Sequence, residues 1–533
     1  MSLNSKIKVS MPATGVITRR SGKYNYVYKV LKTFRNEKGQ PTNDRVCIGK
    51  LDVESGMLIP NNKYYDYYHG VDIEVLPAYN SIRSVGAAFL FRHIFVETGL
   101  LDILENGLGK KRAEQVFTSC LYMACRGNVM EHALRFCEEY TLHEEPITSQ
   151  STSVLFSSIT HDERMSFFRA WVDRQRQSQY IAYDVTSFSS YAKGVENTEW
   201  GYNRDGDKLP QINLGCYTGE RSGLPMFYVT YPGSIIDKSH LKYMMEYNDE
   251  LEISNVGFVL DRGFCSTANI SYMKSKGFQF IIGVEIRHKT TREAVDKIRE
   301  NITSMRFRIK QGIYSRSVDG CFYGMNSTMH VFYDPELAER QRKDLYRTVE
   351  ANEEKLAQLE NLTKKEVKLF SGFFDIKVNK DNSFTYSRNY EKIDRADLNN
   401  GFFCILTNTK DNSEEILDIY RRKDVIEKNF DDLKNHIDMK RMRTHVSETT
   451  EGKIFVSFIS LIALSYMGNM TSSIMKEESM SKDSIIMELE KVKTVEAQAG
   501  KRLINPLTKT VKSILKPFGL DEESLKAYIR NDA

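Results

Sequence analysis

YRRKDVIEKNFDDLKNHIDMKRMRTH, residues 420–445, is the stretch on which the reading turns. At 3.6 residues per turn, Ile419, Ile426, Phe430, Leu433 and Ile437 form one apolar stripe, which predicts a helix packed on a core. Tyr420, Glu427 and Lys434 fall on nearly one line beside that stripe, and Lys423 lies one turn before Glu427. The line aligns an aromatic hydroxyl, a carboxylate and two ammonium groups, a set suited to holding a phosphate backbone near a metal. Taken alone, the segment reads equally well as a solvated, charged helix face.

Two short apolar runs add weight. YIAYDVTS (180–187) reads as a β-prone run ending in Asp184, and VGFVLDRG (256–263) as a more apolar one ending in Asp261. An acid at the C-terminal edge of a strand sits where open α/β sheets place their ligands. Each aspartate could instead cap the next turn. Two strand-end aspartates followed by one helical glutamate are a rarer conjunction. Three carboxylates brought together resist full ionisation unless a divalent cation neutralises them. Oxygen-only ligands favour Mg²⁺ or Mn²⁺ over zinc.

These residues resemble the DDE-type transposases of bacterial insertion sequences, in the group marked by a Tyr-x-x-Arg-x-x-x-Glu-x-x-x-x-x-x-Lys signature. Tyr420, Glu427 and Lys434 fall on the signature in correct spacing, and Lys423 stands where it has arginine. That departure keeps the charge and loses the bidentate fork, which Arg421 or Arg422 could supply instead. Asp184 in YDVTS and Asp261 in VLDRGF resemble the first two catalytic acids. Residues 201–237, opening Gly-Tyr-x-Arg-Asp, and 451–464, EGKIFVSFISLIAL, resemble the family's intervening segment and C-terminal apolar helix. The resemblance implies an α/β, ribonuclease-H-like core with Asp184, Asp261 and Glu427 as catalytic and metal-binding triad for Mg²⁺ (or Mn²⁺). It also implies a homodimer that cleaves and joins double-stranded DNA at paired terminal repeats, in the bacterial cytoplasm with the nucleoid. Tyr420, Arg421, Arg422, Lys423, Lys434, Lys440, Arg441 and Arg443 are the expected DNA contacts.

Composition sets limits. With 41% apolar and 27% charged residues, the chain is of globular type, neither disordered nor fibrous. Net charge is only +4, so basic character must be local: 287–316 carries nine Lys or Arg against three acids, and 440–445 reads KRMRTH. Eight cysteines without C-x-x-C spacing argue against a zinc knuckle or a disulfide framework. The N-terminus has no apolar signal region. The greasy stretch 454–467 is read as a buried core helix, too short to span a bilayer.

Five regions are expected. Residues 1–77 are β-rich, with YNYVYKVLKTF and RVCIGKL as a hairpin. Residues 78–178 form a helical domain for DNA ends or dimerisation. Residues 179–289 and 401–475 form the catalytic core, with GFFCILTN (401–408) as a core strand. Residues 290–400 are an inserted β-rich subdomain, with MRFRI, CFYGM, TMHVFYD and GFFDIKVN as strands. A charged helix capped by Asp334-Pro335 runs there to about Lys368. Residues 476–533 are a helical tail. A structure-selective nuclease and a non-catalytic transposase-derived DNA-binding protein are the rival readings, and a two-carboxylate glycosidase is a weaker third because it leaves the basic helix unexplained.

Overall fold

Tyr, Val and Thr alternate through the hairpin segments near the N-terminus, and there the chain forms β1 (Val16–Ser21), β2 (Tyr24–Arg35), β3 (Pro41–Leu51) and β4 (Leu58–Pro60). The four pair in order as an antiparallel sheet, with β2 and β3 in register from Asn25↔Leu51 to Arg35↔Pro41. Val9, Val27, Ile48, Leu58 and Tyr64 fill a small core of their own. This computed structural model describes residues 8–36, 38–68, 81–142, 146–175, 180–253, 256–496 and 502–530. The chain divides into two compact units, residues 1–78 and 79–533. The expected boundaries at 77/78 and 178/179 lie outside the described residues.

The second unit is mixed α/β, built on a nine-stranded mixed sheet. Following β5 (Ser81–Ser84), its strands are β6 (Tyr180–Ser190), β7 (Gln211–Gly219), β8 (Pro225–Pro232), β9 (Gly257–Leu260), β10 (Gln279–Val284), β11 (Tyr314–Phe322) and β12 (Met325–Tyr333). β13 (Phe374–Val378) and β14 (Phe384–Arg388) form a separate ribbon. β15 (Phe402–Thr407) and β16 (Arg441–Met442) rejoin the sheet, and β17 (Lys493–Glu496) and β18 (Arg502–Ile504) pair beside β5. The order is β11-β12-β15-β10-β9-β6-β7-β8, with β16 on the far end of β6. β6, β9 and β10 run parallel, and β6–β7–β8 form an antiparallel meander.

Helices from 86 to 174 do not form a separate domain. Their apolar faces, including Phe91, Phe117, Phe168 and Trp171, share one core with the sheet and with the helix Ser447–Met470. That last helix is long and apolar enough to cross a membrane, but most of it is buried within the protein. It packs so closely that a Cβ on Gly452 would lie 2.0 Å from the carbonyl oxygen of Phe156. Bare backbone contact explains the glycine.

The region expected as an insertion divides differently. β11 and β12 extend the main sheet through β15. Only the material after Asp334 has its own core, of Val349, Leu356, Phe370, Phe374 and Ile393. MRFRI is a 3₁₀ turn, Met305–Phe307, not a strand. CFYGM is a hairpin tip: Tyr323 and Gly324 both take positive φ, +52° and +81°, as a two-residue turn between paired strands requires. The charged helix starts on the Asp334 cap and ends at Gln358; a second helix, Lys364–Phe370, begins on a Thr363/Glu366 capping box. The boundary expected at 475/476 falls inside the helix Ser472–Glu477.

Candidate active site

β9 ends at Leu260, opposite Tyr183 of β6, and β16 pairs with β6 only from Ser189 onward. Between those two neighbours one edge of β6 is left open, and Asp184 is the first residue of that opening. Asp261 is the next register position on the β9 side, where the chain turns away into the 3₁₀ turn Arg262–Phe264. The two aspartates therefore stand side by side at the point where two parallel strands part. Asp261 is at a strand end, as expected. Asp184 is not: it lies in mid-strand, because β6 runs on through six further buried residues.

The predicted helix is three pieces. Ser413–Arg422 and Asp424–Asp431 are α-helical, and Asp432–His436 is π-helical. At the first junction the bonds tighten to three-residue spacing, Lys423 N–H to Tyr420 O (3.2 Å) and Ile426 N–H to Lys423 O (2.9 Å). At the second, Ile437 N–H reaches back to Asp432 O (2.8 Å). The apolar stripe holds: Ile426, Phe430, Leu433 and Ile437 are buried. The polar line does not. Tyr420 and Lys423 meet Asp261 and Lys423 also meets Glu427, whereas Lys434 turns aside and donates to Asp205 at 2.7 Å.

Lys423 is the centre of that convergence. Its side chain is 7% exposed, and its Nζ lies 3.9 Å from Asp261 Oδ1 and 3.7 Å from Glu427 Oε1. The Tyr420 hydroxyl donates to the same Asp261 oxygen at 3.2 Å. Burial, and then the Asp261 charge, hold that phenol protonated well beyond its ordinary range. Room for it comes from Gly283 on β10, where a Cβ would sit 2.4 Å from the hydroxyl. A cavity of about 820 Å³ opens beside Asp261 and Tyr420, lined also by Arg262, Arg287, Asn400 and Phe402.

Asp184 is pushed up to about 6, first by burial; the Val185 amide (2.8 Å to Oδ1) and the Lys423 charge oppose the shift, and Asp261 adds to it. Arg204 also stabilises its charged form. Arg204 belongs to the Gly-Tyr-x-Arg-Asp motif and is held in an ion pair by Asp237, which also accepts from the Tyr231 hydroxyl at 2.7 Å. The motif is legible in the sequence, but the part that Arg204 plays beside Asp184 is not. Gly283 and Glu220, which pairs with Arg422, carry no local signal, since each acts through a residue distant in the chain.

The other expected DNA contacts are mostly engaged by the protein itself. Arg421 donates to Gln311, Arg422 pairs with Glu220, Arg441 reaches Asp207 (3.4 Å) and the Tyr191 hydroxyl (2.8 Å), and Arg443 reaches Asp438 (3.0 Å). Lys440 is exposed and makes no ion pair among the described residues.

By chemistry the donor set fits a hard divalent cation, being all carboxylate oxygen. By spacing it is not yet assembled. Among the described residues no three His, Cys, Asp or Glu side chains lie close enough together to hold a metal ion, and the Lys423 ammonium stands between Asp261 and Glu427.

Known proteins offer three comparisons. The family described as transposase DDE domain matches residues 175–463, more than half of the chain. No curated protein matches in sequence. Among solved structures, the chain is similar to a piggyBac transposase synaptic complex with hairpin DNA seen by cryo-electron microscopy. There the TM-score is 0.36 at 9% identity, over 84% of this chain and 82% of that one.

Proposed function

Because the chain belongs to the transposase DDE domain family, we propose that it cleaves double-stranded DNA at the ends of its own insertion sequence and transfers the freed strand to a target. One observation carries the reading. Asp184 and Asp261 occupy neighbouring register positions where β6 and β9 part, and the Lys423 ammonium lies 3.9 Å from Asp261 and 3.7 Å from Glu427. We read the sheet and the helix behind it as a ribonuclease-H-like core, and Asp184, Asp261 and Glu427 as its triad.

Proteins of this family generally use divalent metal ions. Two Mg²⁺ (or Mn²⁺) ions bound by the triad would supply the Lewis acidity and the low-pKa water that phosphodiester attack needs. The chain's own residues set the stage. Tyr420 fixes the Asp261 carboxylate by its hydroxyl, and Gly283 leaves room for that hydroxyl. Arg204 and Lys423 offset the charge of Asp184. Phosphate contacts from the exposed basic side chains would position the strand without reading its sequence, and joining two ends implies a dimer on paired ends.

The test is cleavage of end DNA in Mg²⁺ by Asp184→Asn, Asp261→Asn and Glu427→Gln. Each variant should bind DNA and fail to cut it, and EDTA should silence the parent protein with no rescue by zinc. Near-normal cutting by any one variant removes that residue from the triad, and full cutting in EDTA removes the metal. Hydrolysis without joined product would make the protein a nuclease instead.

A further inference from the structure

Two lysines of the signature meet carboxylates in different ways. Lys434 Nζ is 2.7 Å from Asp205, a hydrogen-bonded ion pair. Lys423 Nζ stands 3.9 and 3.7 Å from Asp261 and Glu427, beyond hydrogen-bond length to either. It is nevertheless the more deeply buried cation of that pair of contacts, and its charge is felt by Asp184 as well. A buried ammonium shared between carboxylates, hydrogen-bonded to neither and 5.9 Å from the Tyr420 ring centre, is held by electrostatics with no fixed hydrogen bond to either acid. Its flexible stem permits it to leave when a stronger cation arrives.

We propose that Lys423 is a resident counter-ion of the carboxylate site. It ties Asp261 and Glu427 to one cation before metal binds. A divalent cation displaces it, and the displaced ammonium takes a DNA phosphate, so metal and DNA bind cooperatively. This rests on the reading of Asp184, Asp261 and Glu427 as metal ligands. Three physical steps support it. The ammonium and a metal ion compete for the same two carboxylates, so both cannot occupy the space between them. Expelled without a partner, the lysine would stay in a cleft beside a new like charge, and a phosphate relieves that penalty. By linkage, whatever DNA adds to metal affinity, metal adds equally to DNA affinity. The lysine at a position where the family signature has arginine suits this role, since an ammonium is a compact point charge and a guanidinium a rigid fork.

The experiment measures Mn²⁺ binding by the electron paramagnetic resonance of the unbound ion, with and without a blunt duplex oligonucleotide, using the duplex alone as blank. In the full chain, Lys423→Met should bind Mn²⁺ roughly ten-fold more tightly than the parent when DNA is absent, because the competing charge is gone. The enhancement that DNA gives should shrink by a similar factor, although phosphate oxygens that ligate the metal leave some of it. Lys423→Arg should retain the parent's enhancement, which carries the test if the methionine variant fails to fold. Unchanged or weaker Mn²⁺ binding by a folded Lys423→Met, or an arginine variant without enhancement, overturns the proposal. Asp261→Asn separates the two readings: if it leaves Mn²⁺ binding intact in the parent background, the carboxylate site itself is wrong, and this proposal goes with it.

Discussion

Arg422 and Lys423 are neighbours in the chain, both are cations, and both meet carboxylates, yet the two arrangements are inverted. At Arg422 the acid is sealed in: the Glu220 side chain is 0% exposed and the Arg422 side chain 45%. At Lys423 the cation is sealed in, while the acids keep open faces, 44% at Asp261 and 66% at Glu427. A buried acid has no access to partners from solvent and, at Glu220, only Arg221 at 3.9 Å as a second cation, so its cation is a clamp on the fold. Exposed acids around a buried cation can exchange it for another. The burial of each partner, more than the pairing itself, separates a structural ion pair from a chemical one.

The sharpest way to break that distinction is to remove one acid from each side. Glu427→Gln should lower DNA cleavage by roughly 10²–10³-fold or more while leaving the thermal unfolding curve where it was, since the side chain is largely solvated and serves chemistry. Measured end cleavage within a few-fold of the parent, or a collapse in melting temperature, would place Glu427 among the structural acids instead.

Arg422→Ala should show the reverse pattern. It leaves Glu220 buried, with one oxygen already lacking a hydrogen bond and with Arg221 only as near as 3.9 Å. Removing one partner of a buried pair costs several kcal/mol, and the half-exposed guanidinium scales that down to about 1–3 kcal/mol. Urea denaturation reads it directly. An unchanged midpoint would mean that Arg221 takes over, and the clamp would lose its meaning.

Much of this was legible in the chain. Ile426, Phe430, Leu433 and Ile437 announced a core-facing helix by spacing, and VGFVL announced a strand by its run of apolar residues. What could not be read were features set by partners far away. The π turn at Asp432–His436 contains no proline or glycine to betray it, so straight 3.6-residue counting put Lys434 in line with Glu427 when it faces Asp205. Asp184 read as a strand end because Thr186, Ser187, Ser189 and Ser190 look like turn residues; they are buried because β7 and the two-residue β16 flank them. Two misses had visible signals. The Thr363-x-x-Glu366 capping box marked a second helix inside the charged stretch, and Gly324 marked a hairpin tip inside CFYGM.

The third prediction concerns Asp184, which sits between the two extremes, half-buried where Glu220 is sealed and beside the open acids. Its folded pKa of about 6 exceeds the ordinary 3.8, so the folded state prefers the protonated form. Such a group contributes stability that is fully present below about pH 3.8 and is lost as the pH rises through about 6. Asp184→Asn should therefore stabilise the protein in EDTA at pH 7 by about 1–2 kcal/mol, with the two unfolding curves converging near pH 4. A variant no more stable at pH 7 would show that Lys423 and Arg204 already neutralise the aspartate.

The smallest effect concerns the cations that remain for DNA. Arg422 and Lys434 are committed to Glu220 and Asp205, and Lys423 is held by its two acids until metal displaces it, so in the metal-free protein this helix face is largely occupied. Lys440, exposed beside the β16 pairing with β6, has no such commitment among the described residues. Each phosphate contact releases about one counterion, and the slope of log affinity against log salt counts them. Lys440→Ala should flatten that slope by about 0.9, weakening binding alike for element-end and unrelated duplexes. Lys434→Ala should leave the slope unchanged, because its ammonium is spent on Asp205. If instead Lys434→Ala changes the slope and Lys440→Ala does not, the Asp205 pair must open on DNA. The helix face from Tyr420 to Lys434 would then be the DNA-binding surface after all, and burial in the DNA-free protein would be a poor guide to which cations are available.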